Sequence, residues 1–298
     1  MGGPFADQMS ALQGGAGRYK VDVSPTWNCP VVPQGGVMTA LAVNAMVQEL
    51  ADDAARLRSA TTVFAAPVPA GPVEVTVTVL RRGRSMSQLM ADVRAPGAEA
   101  GHTTIAVFGG DRPGFEFTDL VMPDVPPPED CPSFHDPDPD GGRLEVAFWQ
   151  QTEGRPALGN APWDDYVPTT SECATWYRFD EPPMRADGIL DPLAVLSLCD
   201  LQPGSVGQRM GPGTVDWAPP SADLTVHLLG DARSEWLLGH GRAHHAGDGY
   251  ASVAVDLWDA TGQLVAHATQ VMFLVFPDGP PVGDQRLPAD RKVRGGAS

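Results

Sequence analysis

Three polar side chains in the second half of the chain are of the types that acid–base chemistry uses. Asp200 closes a helical stretch, Leu190–Leu201. A carboxylate at that place faces the negative end of the helix dipole, which disfavours it by about 0.3–1 kcal/mol. Ser221 follows Pro219-Pro220 and leads into a strand-like run, Asp223–Leu229. Gln270 lies on the last such run, Leu264–Phe276. A carboxylate can take a proton, and a hydroxyl and an amide can orient a small polar molecule without being consumed. Each residue also has an ordinary structural reading. Asp200 can cap the following turn, Ser221 can be a turn residue, and Gln270 can pair with a backbone group.

Comparison of the two halves singles out the same residues. His102-Thr103-Thr104-Ile105-Ala106-Val107-Phe108 reads almost like His267-Ala268-Thr269-Gln270-Val271-Met272-Phe273. Aligned in this way, Gln270 replaces Ile105, at a place where a half-buried strand favours a β-branched apolar residue. A buried amide without partners costs about 1–3 kcal/mol. Superposing Leu41-Ala42-Val43 on Leu193-Ala194-Val195 makes Gln48 the counterpart of Asp200.

The elements that must position these residues recur in one order. Tyr19–Ser24 alternates like a strand, and Gly35-Gly36 precede a helical stretch, Val37–Leu57, with Leu41, Ala45, Met46 and Leu50 near a 3.6-residue period. Extended runs follow at Thr61–Val68, Val73–Arg81, Ser87–Arg94 and His102–Phe108, with turn signals at Gly71-Pro72 and Pro96-Gly97. After a stretch dominated by Asp-Pro and Pro-Pro, the order strand, helix, four strands restarts at Cys173–Phe179 and ends at Leu264–Phe276. The chain therefore reads as two copies of one module: residues 1–111, a connection over 112–165, a second copy over 166–278 carrying the three polar residues, and a tail over 279–298. Some order is expected in the connection near Leu144–Gln150. The aspartate run at 136–140 imitates the start of a calcium loop, but prolines intervene and Ala147 stands where the bidentate Glu belongs. A single helix must bury its apolar stripe, so each antiparallel sheet is expected to wrap around its helix.

Composition narrows the function classes. The 298 residues include 37 acidic and 20 basic side chains, a net charge of −17. That balance argues against nucleic acid or an anionic membrane as the main partner. No apolar run approaches the roughly 18 residues that cross a bilayer, and the N-terminus lacks the apolar core of a signal peptide. A cytoplasmic location with reduced thiols is expected. Cys29, Cys131, Cys173 and Cys199 are too widely spaced for a zinc site. His244-His245 with Asp248 reads as a strand end and turn, because adjacent strand residues face opposite ways. Gly-x-Ser-x-Gly is absent, since Gly204-Ser205-Val206-Gly207 has the wrong spacing.

Six motifs in order resemble the acyl-CoA thioesterase II family, proteins with a double hotdog fold. They are Pro33-Gln34-Gly35-Gly36, Leu80-Arg81-Arg82-Gly83-Arg84-Ser85, Cys199-Asp200, Pro220-Ser221-Ala222-Asp223-Leu224, Glu235-Trp236-Leu237-Leu238 and Ala266-His267-Ala268-Thr269-Gln270. They cover residues 19–109 and 171–276, with the proline-rich middle outside. The resemblance implies an α+β double hotdog, two antiparallel sheets each wrapped around a central helix. It also implies hydrolysis of an acyl thioester, of CoA or of another carrier, without metal or organic cofactor. The family's catalytic Asp, Thr and Gln, which hold the attacking water, fall on Asp200, Ser221 and Gln270. Serine in place of threonine keeps the hydroxyl.

Such a hydrolysis needs a base, an oriented water and donors for an oxyanion. The backbone N–H groups at Gly35 and Gly36, opening a helix, are placed to be those donors, although glycine equally serves close helix–sheet packing. Arg81, Arg82 and Arg84 cluster at one turn and can meet the phosphates of CoA. Two other outcomes stand beside hydrolysis: a dehydratase or other proton-transfer enzyme with Asp200 as base, and a non-catalytic acyl-thioester or lipid-binding protein. The intact polar trio favours an enzyme. An exposed outer sheet face leads us to expect a homo-oligomer.

Overall fold

The computed structural model describes residues 3–136, 146–201, 203–212 and 215–288. The first module comprises α1 (Pro4–Ser10), β1 (Gln13–Gly15), β2 (Arg18–Val23), α2 (Gly35–Leu50), β3 (Arg56–Phe64), β4 (Gly71–Arg82), β5 (Met86–Arg94) and β6 (His102–Gly109). The second comprises β7 (Thr152–Leu158), β8 (Glu172–Phe179), α3 (Pro192–Leu198), α4 (Pro203–Met210), β9 (Asp223–Leu228), β10 (Leu237–Gly247), β11 (Tyr250–Asp259) and β12 (Leu264–Phe273). The two expected sheets are joined edge to edge into one twelve-stranded antiparallel sheet, ordered β1-β2-β4-β5-β6-β3-β9-β12-β11-β10-β8-β7.

Helix α2 is the core of the first module. Val37, Met38, Leu41, Ala42, Ala45 and Met46 are fully buried, and a helix apolar on nearly every side belongs inside a domain. It packs on β3, β4, β5 and β6, and against α3, which in turn packs on β9 and β12. The helix stops at Leu50, because Ala51 turns left-handed (φ 48°, ψ 46°) ahead of Asp52-Asp53. The expected extension to Leu57 is thus corrected. Arg56 and Leu57 already belong to β3, and their apolar spacing fits a strand as well as a helix. Helix α3 is likewise shorter than expected. Asp191 Oδ1 accepts from Leu193 N–H at 2.8 Å to start it, and it ends at Leu198, which leaves Asp200 in the turn beyond it.

The segment 112–165 is not all connection. Strand β7 pairs with β8 and completes one edge of the sheet. Phe148 is fully buried, 6.4 Å from the Trp27 ring. Ser133 Oγ donates to Glu153 Oε1 at 2.7 Å, and His135 Nδ1 lies 3.1 Å from Glu153 Oε2. These contacts tie the chain before residues 137–145 to the second module and the chain just after them to the first. Most of the aspartate run, and the end of the tail from residue 289, lie outside the described residues.

The modules meet where β3 pairs with β9. Thr61 stands opposite Thr225, 164 residues away, with their hydroxyls 3.1 Å apart. Outward from that joint the strands repeat as β3-β6-β5-β4-β2-β1 and β9-β12-β11-β10-β8-β7. The register repeats as well. Thr61 pairs with Ile105 and Ile105 with Met90; Thr225 pairs with Thr269 and Thr269 with Ala254. Even the β-bulges at Leu80 and His244 coincide.

This register corrects the sequence alignment of the closing strands by one residue. Ile105 corresponds to Thr269, and Ala106 corresponds to Gln270. A one-residue slip turns every side chain to the other face of a sheet. Ile105 is accordingly 47% exposed, whereas Ala106 and Gln270 are 0% and 2% exposed. Matching the letters His102 to His267 and Phe108 to Phe273 had paired residues of opposite faces.

Candidate active site

Asp200, Ser221 and Gln270 come from the turn after α3, the segment entering β9, and β12, and the fold brings them together. Gln270 Nε2 donates to Asp200 Oδ1 at 2.5 Å and also to Ser221 Oγ. Ser221 Oγ donates to Asp200 Oδ1 at 3.3 Å. The second carboxylate oxygen, Oδ2, accepts from Gly36 N–H at 2.9 Å. Asp200 and Gln270 are buried, and burial pushes the Asp200 carboxyl up to about 6. Hydrogen bonds from Gly36, Gln270, Ser221 and Gly35 pull in the other direction. Gln270 Oε1 is buried and has no hydrogen-bond partner among the described residues.

The first module supplies the floor. A Cβ on Gly35 would sit 2.8 Å from both Asp200 Oδ2 and the Phe64 ring, and one on Gly36 would sit 2.3 Å from Ser197 O. Only glycine lets the start of α2 approach the end of α3 so closely. Of the two readings of these glycines, close packing holds, and the N–H group of Gly36 is given to the Asp200 carboxylate. Of the two N–H groups expected to receive an oxyanion, that of Gly36 already faces an anion, the Asp200 carboxylate, at the helix N-terminus. Gln34 had no role in the sequence reading. Its Oε1 accepts from Val37 N–H at 2.8 Å, capping α2, while its Nε2 donates to Ser197 O at 3.0 Å and Asp200 O at 3.2 Å. One side chain thus fixes the helix start and the backbone of Asp200 to each other. Its place in Pro33-Gln34-Gly35-Gly36 was the only sequence signal.

The repeat shows that the cluster is one-sided. By the strand register, Ser221 opposite Met272 corresponds to Leu57 opposite Phe108, and Gln270 corresponds to Ala106. The first copy is apolar where the second holds a hydroxyl and an amide. Gln48, the expected counterpart of Asp200, is exposed.

The arginine turn is not brought to this cluster. Arg82 donates to Leu50 O at 2.9 Å and to Glu49 O at 3.1 Å, so it caps the C-terminus of α2. The Asp200 cluster stands at the other end of that 16-residue helix, a span of about 24 Å. Arg82 thus has a helix-capping role that the sequence reading lacked, and Arg81 and Arg84 are exposed at the same far end. Arg82→Ala is expected to lose about 0.5–1 kcal/mol of stability, seen as a lower urea midpoint with an unchanged KM for acyl-CoA. A raised KM at an unchanged midpoint would restore the phosphate role.

Comparison with known proteins agrees with this architecture. A family model of the acyl-CoA thioesterase N-terminal domain matches residues 23–109, and one of the C-terminal domain matches residues 128–274. No curated protein matches the chain. Among solved structures, a conserved protein of unknown function with a hotdog fold from Alicyclobacillus acidocaldarius is 28% identical, with 93% of this chain and 98% of that one covered and a TM-score of 0.77. An acyl-CoA thioesterase II from Mycobacterium marinum shares the fold at 21% identity, with 92% and 99% covered and a TM-score of 0.71. The dehydratase domain of PpsC from Mycobacterium tuberculosis is more distant, at 16% identity, 87% and 95% coverage and a TM-score of 0.51. With both domain models matched in order along a double hotdog, the chain belongs to the acyl-CoA thioesterase family and is a thioester hydrolase.

Proposed function

We propose that this chain hydrolyses acyl-CoA at a single centre per chain, with Asp200 as general base and Gln270 and Ser221 holding the attacking water. The observation that carries this reading is the convergence of a buried carboxylate, a buried amide and a half-buried hydroxyl from three separate segments, with apolar residues in the places that mirror the amide and the hydroxyl. A base whose pKa is near 6 is ionised at neutral pH and still accepts a proton effectively. The unpartnered Oε1 of Gln270 offers the acceptor that fixes a water hydrogen. Water oxygen bonds to the thioester carbon as its proton passes to Asp200. The C–S bond then breaks, and the proton goes to the departing sulfur, leaving acid and thiol. Release of free thiol from acyl-CoAs of several chain lengths tests the reading. Binding without release would mean a sensor, and a changed acyl group with the thioester intact would mean a dehydratase-type enzyme.

Two coarser features fit this reading. Val63, Ile105, Val271 and Phe273 are exposed on the outer sheet face around the joint, which favours self-association through that face. Light scattering is expected to return a multiple of the chain mass, and the monomer mass would overturn this. No helix among the described residues is long and apolar enough to cross a membrane, and the four cysteines form no disulfide. Both fit a cytoplasmic enzyme acting on CoA thioesters.

A further inference from the structure

The inner face of the first module carries a polar strip that the hydrolytic centre does not use. His102 on β6 is only 6% exposed, and its Nδ1 is buried without a hydrogen-bond partner among the described residues. Two residues along the same face, Thr104 shares a hydrogen bond of 2.8 Å with Thr62, which accepts from Thr39 of α2 at 3.0 Å. All three threonines are buried. Three hydroxyl protons and two bonds leave one proton without an acceptor among the described residues. Buried polar atoms are nearly always satisfied, so a strip with a spare donor and a spare ring nitrogen is unusual for a core.

Three observations tie this strip to the reaction centre rather than to folding. First, the module repeat gives each strand position a control. His102, Thr104 and Thr62 correspond to Ala266, Ala268 and Val226, all fully buried and apolar. The fold therefore does not need polarity there. Second, the asymmetry is opposite to that of Ser221 and Gln270, whose counterparts in the first module are apolar. At these matched positions the polar member of each pair lies on the side of the centre at the start of α2. Third, one ring separates the strip from that centre. Phe64 pairs with His102 across β3 and β6, with the rings edge to face at 4.9 Å, and the same Phe64 ring meets the position of a Gly35 Cβ that Asp200 Oδ2 also meets.

We propose, resting on the thioesterase reading above, that His102 is a specificity-determining residue that selects acyl groups bearing a hydroxyl along the chain. A hydroxyl is donor and acceptor at once, so it complements the imidazole in either tautomer. Burial lowers the His102 pKa to about 4, so the ring is neutral at physiological pH and recognises by hydrogen bonding rather than by charge. A site built to bond a hydroxyl rejects the analogue lacking it, because its own polar groups are then left unpaired.

The test compares a straight-chain acyl-CoA with its monohydroxylated isomers of the same length. The parent enzyme is expected to favour at least one hydroxylated isomer in kcat/KM by about tenfold or more. His102→Phe keeps an aromatic ring against Phe64 and is expected to abolish that preference and to raise kcat/KM for the plain chain, since no polar group is then left unpaired against it. His102→Gln, which keeps a hydrogen-bonding group, is expected to retain the preference and stands in if the Phe variant fails to fold. Binding of the corresponding non-hydrolysable thioether analogues, measured calorimetrically, reads the same preference without turnover. Absent hydrolysis with a preserved binding preference would sink the thioesterase reading and leave this one standing. No preference for any hydroxylated isomer in the parent, or an equal preference in parent and His102→Phe, would overturn it and leave a buried histidine satisfied by internal water.

Discussion

Asp200→Asn is expected to fold, to lose at least about 10²-fold in turnover, and to be more stable than the parent at pH 7.5. Both effects have one cause. Burial raises the carboxyl from its ordinary 3.8 to about 6, against the pull of four hydrogen bonds. The folded state therefore binds this proton more tightly than the unfolded chain does. The stability due to it is complete below about pH 3.8 and is lost as pH rises through about 6. At pH 7.5 the ionised carboxylate is held at a penalty of roughly 3 kcal/mol. Asparagine removes the charge and still accepts from Gly36 N–H. Its own amide faces the donors of Gln270 and Ser221, so the gain is smaller than that figure. In the parent, kcat/KM is expected to rise between pH 5 and 7 with an apparent pKa near 6, while the variant keeps only a flat residue. Parent-rate hydrolysis by Asp200→Asn would reduce Asp200 to a cap. Loss of activity together with stability would make it a structural residue.

How much of this was legible in the sequence depends on the distance over which each signal acts. Strand order, the helix of the first module and the restart after the proline-rich stretch follow from local periodicity and turn residues, and they stand in the structure. The element ends do not follow so closely. Ala51 carries the left-handed turn that ends α2, and nothing in an alanine announces it. Strand β7 was hidden because Pro156 and Gly154 look like breakers, yet an edge strand tolerates both. Asp200 and Gln270 stood out in the comparison of the two halves, and the family resemblance joined Ser221 to them. The internal repeat reached Gln270 through a pairing with Ile105 that the sheet register moves to Ala106. A letter match cannot sense which face a residue occupies, whereas hydrogen-bond register must. Two roles lay beyond sequence reach because they depend on meetings across more than thirty or a hundred residues: Arg82 with the end of α2, and Gln34 with Ser197 and Asp200.

Gln270→Ala is expected to lower kcat by about 10²–10³-fold, the scale of losing a preorganised amide in a buried site, while Gln48→Ala stays near the parent. Gln270 holds both other members of the trio through one nitrogen, and its unpartnered oxygen is the proposed acceptor for the water. Alanine removes all three contacts at once and frees Ser221 and Asp200 to bond each other alone. It also removes a buried unpartnered oxygen, so the cost of the cavity it opens is partly offset and the fold should hold. The first module supports this expectation, since Ala106 occupies the matching position there without loss of the sheet. Gln270→Glu separates positioning from shape. A second carboxyl beside Asp200 raises the pKa of the pair, so its rate profile is expected to move to higher pH, with both groups titrating together. Equal losses from Gln48→Ala and Gln270→Ala, with folding intact, would mean that the centre is not confined to the second module. An unmoved pH profile in Gln270→Glu would place the working base elsewhere than Asp200.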